Sequence, residues 1–473
     1  MSQPAIILIT CDELRRDAIS AYGNSVVPTP YIDSIAQNGT RFDRCYTVSP
    51  WCLPARCSIL TGKYPHHTGA YSNFRKCPLD VGIDNMFTLL HNASYHTSLF
   101  GKCHFAPVPY SQTRPGKTLP YDQFRDYYVR LGIDHLRLQD DKQVSIWFYD
   151  DYSKELDAAG YLKSYRDCNW DAKNQLVYPF PGPSKWHPDA WVGQQATDYI
   201  KNWNRPDPFF SWISFSGPHY PFDAPEEYLQ RASDIELPQR LGKEGEWCDP
   251  GRIHYCNYHG PGNIDGAGKA PEKGCKNYSE AYWDRMRRSY YANIALIDDQ
   301  VGEIQKAAKA RFGDDCLIFF TADHGEMLGD HGIWGKHNCG YDQVWRIPLL
   351  AHFPGMDSPT VSDAIVNLND LLPTMLEVAG LPSAICDGIS LLEQKKGNGY
   401  SYTVAEGEGY AAITDGRYKY IHIQKDGKFF REFLDLQNDP DEFCNIIAEP
   451  SCQSEVARMS MRLLEHFFPA LLP

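Results

Sequence analysis

Short apolar runs recur along most of the chain. Ala5 to Thr10, Ser98 to Phe100, Phe209 to Phe215, Cys316 to Thr321 and Ile347 to His352 carry almost no charge. Runs of this length without polar alternation read as strands buried on both faces. Between them, Pro30 to Asn38, Trp191 to Trp203 and Met286 to Ala310 repeat apolar residues at helical spacing. The alternation predicts an α/β fold with a large, mostly parallel sheet sandwiched by helices. Val366 to Gly380 reads as one more helix, and after it the pattern changes. Tyr410 to Ile413, Tyr418 to Ile423 and Phe429 to Leu436 alternate in twos, with turn pairs at Asp415-Gly416 and Asp426-Gly427. A helix from Ser454 to Phe468 closes the chain. The expected organisation is a large domain over residues 1–390. A smaller C-terminal α+β domain with an antiparallel sheet follows over 391–473.

Composition narrows the function. With 473 residues, 42% of them hydrophobic, the chain has enough apolar material for both cores. A net charge of -14 argues against nucleic acid and anionic membranes as partners. Any anion site must therefore be built locally. The run at Ala5 to Thr10 is too short to span a bilayer and lacks the basic flank of a signal peptide. The 15 cysteines are odd in number and follow no framework spacing, so they read as reduced thiols of a cytoplasmic protein. On that reading the sequons at Asn38, Asn92 and Asn277 are chance matches. The stretch from Leu241 to Ser279 holds Cys248, Cys256, Cys275, His254 and His259, but their spacing fits no standard zinc module. It reads as a structural or substrate-facing loop.

Candidate chemistry gathers at the ends of the expected strands. Asp12 and Glu13 follow the first one, and Asp323 and His324 follow another. Either pair alone suits a helix N-cap; together they suit one hard divalent cation. In Cys52-Leu53-Pro54-Ala55-Arg56, Pro54 fits a first helical turn and Gly62 a helix stop. Cys52 then heads a helix, where amide groups and the dipole lower a thiol pKa and favour a nucleophile. The alternative is a buried structural cysteine. Arg56 lies one turn further on. Lys102 and His104, His219, and Lys336 with His337 each sit in a glycine-containing loop. Together they describe a basic pocket for an oxyanion.

These motifs resemble, in order and over nearly the whole chain, those of the type I sulfatases of the alkaline phosphatase-like superfamily. Cys52-Leu53-Pro54-Ala55-Arg56 with Leu60-Thr61-Gly62 resembles the family signature, and Gly101-Lys102-Cys103-His104 its lysine-histidine motif. Cys11-Asp12-Glu13 is similar to its amino-terminal metal motif, and Phe215 to Pro221, Thr321 to Glu326 with Gly335-Lys336-His337, and Phe433 to Cys444 are similar to its later segments. The resemblance implies that a maturation enzyme, the formylglycine-generating enzyme, oxidises Cys52 to formylglycine. An oxygen of the hydrated aldehyde is then the nucleophile. It implies one divalent cation, calcium, held by Asp12, Glu13, Asp323 and His324. It further implies that Arg56 orients the diol and that Lys102 and Lys336 neutralise the sulfuryl group. His219, with Lys336, serves the leaving oxygen, and His104 removes the proton that releases sulfate. The implied substrate is a small sulfated molecule, with sulfated carbohydrates the commonest class.

The chain departs from the pattern at Ala55, where serine is commoner, and at Cys103, where tryptophan is usual. Glu13 stands where a second aspartate is usual, and its longer side chain would ligate with altered geometry. Two rival readings remain open at this level. One is a phosphonate monoester or phosphodiester hydrolase of the same superfamily. The other is a non-catalytic anion-binding relative whose Cys52 is never matured.

Overall fold

The computed structural model describes residues 3–73, 79–105, 119–142, 148–171, 176–259, 275–336, 338–356, 358–394, 399–425 and 427–468. Its first strand, Ala5–Asp12, is buried at every position. It pairs in parallel with Phe209–Pro218 on one side and Cys316–Ala322 on the other. The parallel series continues from Phe209–Pro218 through His96–Gly101 to His135–Leu138. Five adjacent strands therefore point their carboxyl ends at one edge. Past Cys316–Ala322 the sheet turns mixed. Leu349–His352 runs antiparallel, Thr40–Tyr46 follows it, and Thr360–Asn367 lies parallel to Thr40–Tyr46.

Apolar burial explains the central strands. Phe210, Trp212, Ile213 and Phe215 are wholly inaccessible, and each such side chain contributes about 1.5–3 kcal/mol. Trp212 keeps its indole N–H satisfied by donating to Thr10 Oγ1 at 2.8 Å. The helices Pro188–Lys201 and Glu280–Phe312 pack on each other and on the Phe209–Pro218 strand. The architecture is the expected one: a mostly parallel sheet flanked by helices, with a separate antiparallel sheet toward the C-terminus.

Two local expectations need correction. The helix expected from Val366 begins at Leu371 and ends at Val378, because Val366 closes the Thr360–Asn367 strand. Half of that strand is solvent-facing, which hides its period in the sequence. Asn367 and Asp370 then form a capping box over a short 3-10 turn that turns the chain into the helix. The run from Ile347 to His352 is not one strand either. Pro348, which has no N–H to give a ladder, separates Arg346–Ile347 from Leu349–His352.

The C-terminal sheet is an antiparallel meander of Thr403–Gly407, Tyr410–Thr414, Tyr418–Lys425 and Lys428–Asp435. Gly416, with φ +90°, makes the turn expected at Asp415-Gly416. Asp426 of the other expected turn lies outside the described residues. The helix Gln453–Phe467 covers the sheet, and Ile413, Tyr420, Phe433, Met459 and Leu463 form a second core with Val48 and Tyr64 of the larger part. Buried charge ties this sheet to the larger part. Arg252 Nε lies 2.6 Å from Glu432 Oε1, and Lys419 Nζ lies 2.7 Å from Asp342 Oδ1. Arg252 belongs to the stretch expected as a loop, whose residues 260–274 are outside the described ones.

Candidate active site

Each parallel strand delivers a functional side chain to the common edge. Asp12 closes Ala5–Asp12, Lys102 follows His96–Gly101, and Asp140 and Asp141 follow His135–Leu138. His219 follows Phe209–Pro218, and Asp323 and His324 follow Cys316–Ala322. This is where a doubly wound sheet places its ligands. The fully buried helix Cys52–Thr61 presents its N-terminus there, with Cys52 at the first position. Gly62 ends it at φ +67°, its N–H donating to the Ser58 carbonyl at 2.8 Å.

Asp12, Cys52, Asp323 and His324 form the centre, with one ligand-type atom from each lying within 4.8 Å of the others. Cys52 Sγ lies 3.5 Å from Asp12 Oδ1 and 3.2 Å from His324 Nε2. His324 Nδ1 donates to the Gly325 carbonyl at 3.0 Å, so Nε2 turns its lone pair to the centre. That is the tautomer a metal-ligating imidazole needs. Arg56 lies one turn into the helix, wholly buried. Its Nε donates to Asp323 Oδ2 at 2.9 Å, and its Nη1 to Ser214 Oγ at 2.7 Å. Its Nη2 has no hydrogen-bond partner among the described residues, a donor left for a ligand.

Lysines flank the centre on both sides. Lys102 Nζ is ion-paired to Asp12 and, at 2.6 Å, to Asp141. Lys336 is ion-paired to Glu13, and His219 Nε2 lies 3.7 Å from the same carboxylate. Glu13 therefore faces Lys336 and His219, while Asp12, Asp323 and His324 face Cys52. The backbone is strained at two of these positions: Glu13 has φ +62° and His104 φ +61°, where side chains other than glycine rarely sit. Asp140 holds the second in place by accepting from the amides of Cys103 and His104 at 3.1 and 2.8 Å.

Burial and charge set the protonation states. Burial works against ionised Asp12, yet the permanent cations Lys102, Lys336 and Arg56 outweigh it and hold its carboxyl well below the usual range. Burial and then Lys102 push His104 well down, and burial and then Lys336 do the same to His219, so both are neutral near pH 7. The Cys52 thiol departs from expectation. Burial, and next the Asp12 carboxylate, push it up rather than down. The helix N-terminus is there, but loss of water and a neighbouring negative charge outweigh it. As a thiol, Cys52 is protonated and a poor nucleophile.

The donor set fits a divalent cation. Around the centre stand four carboxylates, Asp12, Glu13, Asp141 and Asp323, against three cations, Arg56, Lys102 and Lys336. Alone that balance repels an anion; a bound divalent ion reverses it. Carboxylates with one imidazole suit a hard or borderline metal.

Ten of the eleven residues singled out in the sequence thus gather at one edge; the eleventh, His337, lies outside the described residues. Sequence reasoning missed Asp140, Asp141 and Ser214. The same strand-end rule that found Asp12 reaches Asp141, but His135–Leu138 is too short and too polar to show as a strand.

The family model described as Sulfatase matches residues 4–381, and one described as N-sulphoglucosamine sulphohydrolase, C-terminal, matches residues 329–467. An arylsulfatase of Clostridium perfringens is 27% identical over 470 residues, covering 94% of this chain and 90% of its own. The phosphonate monoester hydrolase of Agrobacterium radiobacter shares the fold with a TM-score of 0.78 at 23% identity, over 99% of this chain and 96% of its own. A protein solved with its substrate D-glucosamine-2-N,6-O-disulfate shares it with a TM-score of 0.73 at 19% identity, over 99% and 98%. Fold and site together define a hydrolase of the alkaline phosphatase-like class. Within it, the chain belongs to the sulfatase family, and it is an enzyme of that family.

Proposed function

We propose that this protein hydrolyses sulfate esters of small molecules, sulfated carbohydrates foremost, through a formylglycine made from Cys52. The observation that carries the reading is Cys52 itself. It heads a buried helix with its Sγ 3.5 Å from Asp12 Oδ1 and 3.2 Å from His324 Nε2, so a nucleophile at position 52 sits directly against the side chains that would hold the cation. The two resemblances whose printed names concern sulfated glucosamine support a carbohydrate substrate. The described cysteines are free thiols, which supports a reducing, cytoplasmic setting.

Asp12, Asp323 and His324, with Glu13 beside them, would hold the divalent cation, calcium by preference. A bound cation supplies Lewis acidity and positive charge, and the modified Cys52 supplies a hydrated aldehyde. The remaining work falls to the chain. Arg56, clamped by Asp323 and Ser214, offers its spare Nη2 to an oxygen at position 52. Lys102 and Lys336 balance charge on the sulfuryl oxygens. Lys336, next to His219 around Glu13, serves the leaving oxygen. His104, neutral in the free site, accepts the proton whose loss releases sulfate.

Initial rates of the matured protein on 4-nitrophenyl sulfate, a 4-nitrophenyl phosphonate and a phosphodiester test the reading. The sulfate is expected to show the highest kcat/KM. A higher value for either phosphorus ester would establish the phosphonate or phosphodiester activity instead.

A further inference from the structure

A second constellation lies outside the active site. His66, Glu406 and His466 place one ligand-type atom each within 4.8 Å of one another. They come from three elements. His66 is in the short helix Pro65–Thr68, just beyond the Cys52–Thr61 helix. Glu406 is in the first strand of the C-terminal sheet, and His466 is in the last turn of the closing helix. Nδ1 of His66 and Nε2 of His466 converge on the same oxygen, Glu406 Oε1, at 2.7 and 2.6 Å. The other carboxylate oxygen accepts from the His66 backbone N–H at 3.0 Å, which fixes the carboxylate plane. The side chains are 5%, 1% and 11% exposed, so the cluster is largely shielded and His466 is its most exposed member. Tyr64 packs edge-on against the His466 ring at 4.6 Å. None of the three residues belongs to the sulfate-ester chemistry.

We propose that His66, Glu406 and His466 form a zinc site that staples the C-terminal sheet and helix to the segment behind the catalytic helix. Two imidazoles and one carboxylate are a borderline-soft donor set that suits zinc. Solvent entering past His466 supplies the fourth ligand. The present contacts are hydrogen-bond distances. Zinc sits about 2.0–2.2 Å from each donor atom, which puts tetrahedral neighbours roughly 3.3–3.6 Å apart, so the rings move outward by somewhat under about 1 Å to admit it. Each imidazole turns the lone pair of the converging nitrogen to the metal and carries its proton on the other ring nitrogen. Calcium, the cation expected in the active site, prefers an all-oxygen cage and does not compete for this pair of imidazoles.

The test is a titration of the full-length protein with zinc chloride in excess calcium, followed calorimetrically, alongside His466→Gln and Glu406→Gln. Wild type is expected to bind one zinc, with both variants weaker by at least about 100-fold, the upper range for loss of even an indirect partner of a metal ligand. Cobalt(II) in place of zinc is expected to give a four-coordinate absorption spectrum in wild type that His466→Gln lacks. Far-ultraviolet circular dichroism separates a lost site from a lost fold. Sulfate-ester turnover is expected to persist in His466→Gln. Equal zinc affinity in all three proteins, or no zinc bound by wild type, would overturn the proposal whatever the outcome of the turnover assays.

Discussion

Arg56 shows how one side chain serves both stability and chemistry. Its guanidinium bridges Asp323 and Ser214, and both neighbours are fully buried. A lysine is a point charge and cannot make the same fork. Arg56→Lys is expected to lower kcat/KM of the matured enzyme by roughly 10²-fold or more, the loss typical of one donor at a developing charge. Arg56→Ala takes the guanidinium from Asp323, which keeps only the amides of Glu13 and His324 in the metal-free protein, and is expected to cost roughly 3–5 kcal/mol there in denaturant stability. The residue type and spacing of Arg56 were legible in the sequence, and so was Cys52 at a helix start. The protonation of Cys52 was not. A helix terminus is a local property, while burial and the approach of Asp12 arise only when strand and helix meet across 40 residues. Ser214 was silent for the same reason: nothing in a strand marks which hydroxyl faces an arginine.

At the scale of elements, the ends of strands carry the function. Gly101 closes His96–Gly101 with φ +89°, and a Cβ there would fall on the Ser214 carbonyl. Gly101→Ala is expected to destabilise by more than the ~1–2 kcal/mol that positive φ alone costs. It should also displace the loop that carries Lys102 and His104, so denaturation midpoint and turnover should fall together. Unchanged turnover would show that the loop tolerates the shift. The central strands were legible because burial on both faces leaves an unbroken apolar run. Thr40–Tyr46 and His135–Leu138 were not, since Arg41, Asp43, Arg44, His135 and Arg137 make them look like loops. Losing the second of these strands is what concealed Asp141.

Across the whole molecule, buried polar links join the C-terminal sheet to the larger part. His254 lies within this junction, close to Arg252, which pairs with Glu432. Burial, and then Arg252, push His254 down to about 3. An unfolded histidine titrates near 6.5. Between those values the unfolded chain binds a proton that the folded chain refuses, so acid favours unfolding. The stability difference between wild type and His254→Asn is therefore expected to shift against wild type by about 1.4 kcal/mol per pH unit below pH 6.5, down to about pH 4. Denaturant titrations at several pH values read this slope, and a flat difference would contradict it.

On the proposed function, an oxygen nucleophile derived from Cys52 cleaves sulfate esters. The most direct measurement is turnover of 4-nitrophenyl sulfate by protein co-expressed with a formylglycine-generating enzyme, beside Cys52→Ala, with the peptide containing position 52 read by mass spectrometry. Formylglycine in the wild type, turnover that tracks its occupancy and no turnover in Cys52→Ala is the predicted result. Equal turnover by both proteins, or turnover by wild type with an unmodified Cys52, would contradict the account.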